Sequence, residues 1–464
     1  MADALGIVCG LFGDSGKGTI VDAYARNDTL IVRFNGGPQA QHYVIQRDGR
    51  AHGFQQFGSA SFHPGTQTHL SRHMLVYPTS LLEEAEKLST LGVPDIMQRL
   101  TIHRDAPIIT PWHRAANWLR ELARGTAEHG TCGMGVGELM QDIANTHDDI
   151  VFARDLIHPG ILGNKLARIR HRKRRELESL IETLPFPHGI RETKARDTIQ
   201  FDHVYMTFIE NCRRLGREAQ IVDDDFLREK LAQPGLVIGE GAQGVLLDEW
   251  FGFHPHTTWS TTTFANFDSL LSEAGFARHA TKIVVLRAYA TRHGAGPLVT
   301  FDQKLTHELP EQHNRNDGWA GLFRCGWFDL VATNYSLAVL GHVDGIALTC
   351  LDRIQHLAEL PLCVAYRYTG SASREHLLRF FDLDGSPGLP RITRIRVGRK
   401  GDLDHQAALT KHLFQCEPEY ISMPHDLLIK KIESELGVPI TISSYGPTAE
   451  DKHFHSLLLQ KPRL

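Results

Sequence analysis

What the sequence lacks narrows it first. No stretch reaches the ~18 consecutive apolar residues that a membrane-spanning helix needs. Cysteine is sparse: seven residues (Cys9, Cys132, Cys212, Cys325, Cys350, Cys363 and Cys416) are scattered over 464 positions with no CxxC pair. That dispersal excludes a disulfide framework and a cysteine-zinc cluster. Neither sign of charge dominates. The formal net charge is -4, which gives no reason to expect nucleic acid or an anionic membrane as a main partner. There is no internal repeat and no low-complexity tract. The amino terminus, MADALGIVCGLFGDSGKG, has no basic start and only a short apolar run. It reads as a first strand and not as a signal peptide, so a cytoplasmic protein is expected. Of the 27 histidines, no pair has zinc-ligand context; His254 and His256 come nearest and are not read as a metal site.

What is present is an enzyme-sized α/β pattern. The hydrophobic fraction, 42%, is sufficient for a large core. Apolar runs at Leu5 to Leu11, Leu30 to Asn35, Leu236 to Ile238, Lys282 to Leu286, Gly345 to Thr349 and Leu362 to Tyr366 read as buried strands. Helical segments separate them, which favours a large, mostly parallel central sheet flanked by helices. The whole chain, 1–464, reads as a single domain, with a helical insertion at about 160–232. The basic run from Lys165 in that insertion reads as a solvated helix face in preference to a phosphate- or RNA-facing one.

The chemistry concentrates in Gly10-Leu-Phe-Gly-Asp-Ser-Gly-Lys-Gly-Thr19. A Walker A loop has a glycine, four residues, then Gly-Lys-Ser/Thr. Here Gly10 is one residue too far from Gly16, and Gly18 follows Lys17. The stretch is therefore a phosphate loop of related design, with backbone N–H groups, a helix start and Lys17 facing the anion. A carboxylate inside such a loop repels phosphate. Asp14 makes sense there if it holds a cation or takes a proton. In Arg33-Phe-Asn-Gly-Gly-Pro-Gln-Ala-Gln-His42 a glycine turn delivers a histidine just after a strand, where it could hydrogen-bond a transferring phosphoryl oxygen.

Together these stretches resemble the adenylosuccinate synthetase family, whose loop reads approximately WGDEGKGK followed by RxxGGxNAGH. The resemblance continues through Gly130–Gly137, Glu240–Asp248 (EGAQGVLLD against EGAQGTLLD), Ala288–Pro297 (AYATRHGAGP against AYSTRVGAGP), Leu348–Asp352, Cys363–Arg367 and Ser444–Pro447. It implies a P-loop-like GTP-binding fold with helical insertions. It implies a ligase that phosphorylates O6 of IMP from GTP and lets an amine displace the phosphate. Carried over residue by residue, Asp14, Lys17 and His42 would be catalytic. Asp14 would be the base at N1–H and, with Gln41, would contact Mg2+. GTP would meet Ser15, Gly16, Lys17, Gly18, Asp352, Ser444 and Gly446. IMP would meet Asp14, Gln39, Thr131, Cys132, Gly133, Gln243 and Thr258. A homodimer is implied by the family alone.

The departures fall on the amine side. The family's arginine-rich loop before Gly-Trp binds the two carboxylates of aspartate, for which paired guanidiniums are suited. Here only Arg324 survives from that run, and Gly321 and Phe323 stand where family arginines would be. A loop offering Asn316, Asp317 and Trp319 suits a neutral polyhydroxylated amine, such as an amino sugar, better than aspartate; Arg315 in the same segment is a displaced arginine that would serve aspartate instead. Other readings remain: an ordinary adenylosuccinate synthetase; a phage-type 2-aminoadenylosuccinate synthetase, which replaces the loop aspartate that is retained here; and a non-catalytic GTP-binding regulator.

Overall fold

The computed structural model describes residues 1–125, 131–145, 148–184, 190–311, 321–385 and 390–456. Ten strands form the central sheet. Across it they run Lys452–Phe454, Ile440–Ser444, Gly345–Thr349, Thr281–Arg287, Asp3–Cys9, Leu236–Glu240, Leu30–Arg33, Gln67–Leu70, Leu100–His103 and Gln220–Val222. All neighbours pair in parallel except the edge strand Lys452–Phe454. The central strands are buried on both faces, which is why they read as unbroken apolar runs rather than as alternation.

Element ends have local causes. The first helix spans Lys17–Tyr24. Gly16 caps it in a left-handed conformation, φ 79°, which glycine adopts without strain. The strand Leu30–Arg33 ends before Asn35, whose amide turns sideways to pair with the backbone of Ala242. Its Oδ1 accepts from Ala242 N–H at 2.7 Å and its Nδ2 donates to Ala242 C=O at 3.2 Å.

The run Leu362 to Tyr366 belongs elsewhere than expected. It lies in Glu359–Tyr368, the hub of a separate five-stranded sheet with Phe328–Asp329, Arg391–Ile395, Phe381–Asp384 and Cys416–Pro424. Its partners Arg391–Ile395 and Cys416–Pro424 are antiparallel. The helix Leu330–Leu340 packs on this sheet. Asp329 caps that helix, accepting from Ala332 N–H at 3.0 Å and from the Tyr366 hydroxyl at 2.6 Å. Burial raises the Asp329 carboxyl to about 6.

Residues 160–232 hold the helices Pro159–Thr183, Ile190–Gln200, Asp202–Glu218 and Asp224–Ala232, interrupted by the sheet strand Gln220–Val222. The basic run is ion-paired. Lys173 is buried against Asp142 at 2.7 Å and Glu176 at 3.1 Å, and Arg172 reaches Asp142 at 2.8 Å and Asp149 at 3.2 Å. Arg168, His171, Arg174 and Arg175 face solvent, as a solvated helix face would, whereas Arg172 and the buried Lys173 sew the helix to its neighbours by charge, which that reading does not anticipate.

Candidate active site

Six parallel strands deliver site residues from their carboxyl ends, the edge of an open α/β sheet where ligands bind. Asp3–Cys9 leads into the glycine loop, and Leu30–Arg33 into the turn that ends at His42. Leu236–Glu240 precedes Gln243, and Thr281–Arg287 precedes the turn at 294–296. Gly345–Thr349 leads to Asp352, and Ile440–Ser444 to Gly446.

The phosphate side is built on close approach. A Cβ at Gly18 would stand 2.9 Å from His42 Cβ and 3.0 Å from Ser59 Oγ. Only glycine lets the loop close over His42. Asp14 adopts φ 50°, an uncommon conformation that turns its carboxylate outward, 35% exposed. Lys17 is buried; its ammonium donates to the Gln243 carbonyl at 2.8 Å, and burial lowers its pKa.

His42 opens a two-stranded ribbon, His42–Ile45 with Ala51–Phe54. Its Nδ1 meets Glu240 Oε1 at 2.5 Å. Glu240 also accepts from the Ser59 N–H at 3.0 Å and from the Ser59 hydroxyl. Burial alone would raise the Glu240 carboxyl, but Arg33, His42 and Ser59 outweigh it and hold it low. Burial lowers His42, against the pull of Glu240. Glu240, Arg33 and Ser59 escape attention as functional residues in the sequence, although the first two open the quoted motifs.

Several buried polar atoms at this end have no hydrogen-bond partner among the described residues. On residues read from sequence as nucleotide ligands they are Ser15 Oγ, His42 Nε2 and both amide ends of Gln39 and Gln243; Arg33, Arg287, Thr291, His293 and Arg324 hold others. Unpaired buried polar atoms are costly. Other such atoms occur elsewhere in the molecule; a polar ligand bound at this end of the sheet would satisfy those named.

Arg324, read from sequence as part of the amine-donor loop, lies in a second ribbon, Ala290–His293 with Phe323–Gly326, in which His293 faces Phe323 and Arg292 faces Arg324. The His293 and Phe323 rings are 4.8 Å apart, edge to face, and His293 Nε2 lies 3.8 Å from Asp14 Oδ2. Arg324 donates through one guanidinium nitrogen to the carbonyls of Gly294, at 2.6 Å, and Gly296, at 2.9 Å. Arg292 donates to Ala295, Pro297 and His256 carbonyls at 2.9 to 3.1 Å, and burial lowers its pKa to about 9. Arg287 donates to Asp14 C=O at 3.1 Å, and its other arm pairs with Glu311 and the Tyr289 hydroxyl. His293 was the signal missed in the sequence: it stands inside a quoted motif where the family text has valine. Arg315, Asn316, Asp317 and Trp319 lie outside the described residues.

The remaining residues scatter. Thr131, Cys132 and Gly133 sit against the helix Pro111–Arg124. There the Thr131 hydroxyl donates to Asn117 Oδ1 at 3.0 Å and Trp118 Nε1 donates to Gly133 C=O at 2.6 Å. No hydrogen bond joins them to the glycine loop among the described residues. Thr258 is half-buried and anchored by its N–H on Leu247 C=O at 2.8 Å. The exposed Gln41 lies over Gly53. Asp352 is half-buried after Cys350, which sits at φ 60°. The Ser444 hydroxyl donates to Gly446 C=O at 3.1 Å. Lys452, unforeseen, clamps that turn through Gly446 and Thr448 carbonyls at 2.8 and 2.6 Å, and burial lowers it to about 8.

For magnesium, the donor set fits. Asp14 offers an outward carboxylate and Gln41 an amide oxygen, and Mg2+ takes few protein oxygens and completes its shell with water and substrate phosphate.

Comparison with known proteins agrees with this geometry. The family model for adenylosuccinate synthetase matches residues 7–453. The adenylosuccinate synthetase of Chlorobium limicola is 32% identical over 451 residues, covering 95% of this chain and 94% of that protein. That of Neisseria gonorrhoeae is 29% identical over 457 residues, covering 97% and 98%. The solved fully ligated adenylosuccinate synthetase of Plasmodium falciparum shares the fold, with a TM-score of 0.74 at 20% identity, covering 98% of this chain and all of that one. The succinoaminodeoxyadenylate synthetase of cyanophage S-2L, bound to dGMP and dATP, shares it more distantly, with a TM-score of 0.54 at 15% identity over 98% and 95% of the two chains. On the full-length family match and the Chlorobium relative, this chain belongs to the adenylosuccinate synthetase family, GTP-dependent ligases that form a carbon–nitrogen bond.

Proposed function

We propose that the protein phosphorylates O6 of IMP from GTP and then joins C6 to an amine other than aspartate, an amino sugar being the concrete candidate. Asp14 takes the N1 proton, so that O6 becomes the nucleophile toward the γ-phosphorus. The O6–phosphorus bond forms as the bond to GDP breaks. The amine then attacks C6, inorganic phosphate leaves, and the amine loses a proton. Magnesium, when bound, would offset phosphate charge beside Asp14 and Gln41. Lys17 holds phosphate, Gln39 and Gln243 read the IMP, and Asp352 with Ser444 reads the guanine.

His42 carries a specific requirement. In its neutral form, donation from Nδ1 to Glu240 leaves Nε2 as an acceptor, which repels a phosphoryl oxygen. To stabilise the transferring group, Nε2 must be protonated. Burial, with Lys17 and Arg33 nearby, lowers His42 to about 4 in the free protein against the pull of Glu240, so the imidazolium depends on the added phosphate charge.

The observation that carries the phosphoryl half is the set of unpaired buried polar atoms on Ser15, Gln39, His42 and Gln243. Against a dicarboxylate donor stand the commitment of Arg292 to three backbone carbonyls, the engagement of one Arg324 nitrogen by two more, and the presence of Phe323. The family expectation of a cytoplasmic homodimer accompanies this reading.

The test is phosphate release from GTP with magnesium and IMP, with L-aspartate or members of an amino-sugar panel. Release with an amino sugar but not with aspartate is expected. Aspartate-dependent release with an adenylosuccinate mass would overturn the amine assignment and make the protein an ordinary family member.

A further inference from the structure

The amino-terminal edge of the sheet, opposite the nucleotide cleft, carries a cluster that the reaction does not use. His279 precedes the strand Thr281–Arg287, and His342 with Asp344 precedes its parallel neighbour Gly345–Thr349. His279 Nε2 lies 2.9 and 3.0 Å from the two Asp344 oxygens, and His342 Nε2 lies 3.1 Å from Oδ1. Their ligating atoms all fall within 4.8 Å of one another. Among the described residues, no other group of three His, Cys, Asp or Glu side chains meets that condition.

Three features distinguish this from an ordinary surface ion pair. First, three potential ligands, two of them imidazoles, converge: their donor atoms all lie within 4.8 Å of one another, within small side-chain rotations of the roughly 3.3 Å separation that a tetrahedral metal with ligands at ~2.0–2.1 Å imposes. Secondly, the carboxylate is held from behind. Asp344 Oδ2 accepts from the Lys282 backbone N–H at 2.7 Å, and Asp344 N–H donates to Lys282 C=O at 2.9 Å. Such outer contacts orient a ligand before the ion arrives. Thirdly, the ligands come from loops preceding two adjacent strands whose register is fixed, so the convergence does not depend on one flexible segment.

We propose that His279, His342 and Asp344 bind one borderline divalent transition metal, with zinc as the type ion and water completing the shell. Two imidazoles and one carboxylate select such an ion over magnesium or calcium, which prefer oxygen donors throughout. Bound there, the ion ties together the loops that enter two central strands. The site is distinct from the magnesium implied at Asp14 and does not depend on which amine the enzyme uses.

The test uses the full chain in buffer containing excess magnesium, which fills oxygen-rich sites. Zinc is titrated calorimetrically, and Co2+ spectra are recorded in parallel. The expected result is one ion per chain, weakened at least about tenfold in the His279→Gln/His342→Gln variant. Intense d–d bands without a thiolate charge-transfer band would mark nitrogen and oxygen ligands. Zinc should also raise the melting temperature of the parent and not of the variant. Both histidines are exposed, so an unchanged metal-free melting curve is expected to show that the variant folds. Equal zinc affinity in parent and variant, no saturable binding, or a thiolate band would each overturn the proposal. None of these results bears on phosphate release, which tests the ligase reading separately.

Discussion

The two ribbons that flank the cleft use similar residues to opposite ends. In the His42–Ile45 ribbon a histidine is fixed from behind by Glu240, and its other nitrogen is left without a partner. In the Ala290–His293 ribbon the histidine packs on Phe323, and the arginines beside it are spent on backbone carbonyls. The first ribbon holds polarity in reserve for a ligand. The second commits Arg292 and one nitrogen of Arg324 to backbone carbonyls, sets the His293 imidazole edge to face on a phenyl ring, and leaves Thr291 Oγ1, His293 Nδ1 and Arg324 Nε without partners among the described residues. On the function proposed above, the phosphoryl chemistry and the amine specificity fall on different ribbons, so each can be tested without the other.

The most forceful way to break this comparison is Asp14→Asn. Removing the base should cut turnover by about 10³-fold or more while the protein melts normally. It should also abolish exchange of the bridging and non-bridging oxygens of the GTP β–γ linkage in the presence of IMP, a readout needing no amine. His42→Asn should follow, with a loss of about 10²-fold in the same exchange. Near-normal exchange in either variant would detach that residue from the phosphoryl step. His293→Ala sharpens the contrast. Oxygen exchange should stay within about threefold of the parent, while coupling of a productive amine weakens by about tenfold. Equal loss of both activities would mean that the ribbons act as one unit.

The smallest effect lies behind the amine ribbon, at Asp329. Its folded pKa of about 6 exceeds the value of 3.8 expected when unfolded. The stability it contributes is therefore complete below the unfolded value and is lost as pH rises through about 6. Asp329→Asn should flatten that dependence and gain at most about 3 kcal/mol above neutrality, at 1.36 kcal/mol per pKa unit. Denaturant midpoints at pH 5 and pH 8 measure it; identical slopes in parent and variant would remove Asp329 as the cause.

Much of this was legible in the chain. The strands Asp3–Cys9, Leu30–Arg33, Leu236–Glu240, Thr281–Arg287 and Gly345–Thr349 are apolar because both faces are covered. The strands Gln67–Leu70 and Leu100–His103 were not foreseen. Each carries threonine and histidine, whose polarity is satisfied across strands, as His69 with Thr101 at 3.0 Å. The separate antiparallel sheet was hidden because one apolar run looks the same in either kind of sheet. Asp14, Lys17 and His42 announced themselves through glycine spacing. His293 did not, since its meaning comes from a cross-strand partner thirty positions away in a ribbon with no pattern of its own. His279 and His342 had no mutual signal either, because only adjacent strand entries bring them together.

One contact bears on the order of events. In the free protein the Lys17 ammonium rests on the carbonyl of Gln243, the residue assigned to the purine. On the function proposed above, a triphosphate that recruits this ammonium would take it from the segment that reads the other substrate. Occupancy of one subsite thereby alters the other's free energy, and by linkage the effect is reciprocal. The two nucleotides should accordingly bind cooperatively, each changing the other's dissociation constant by the same factor.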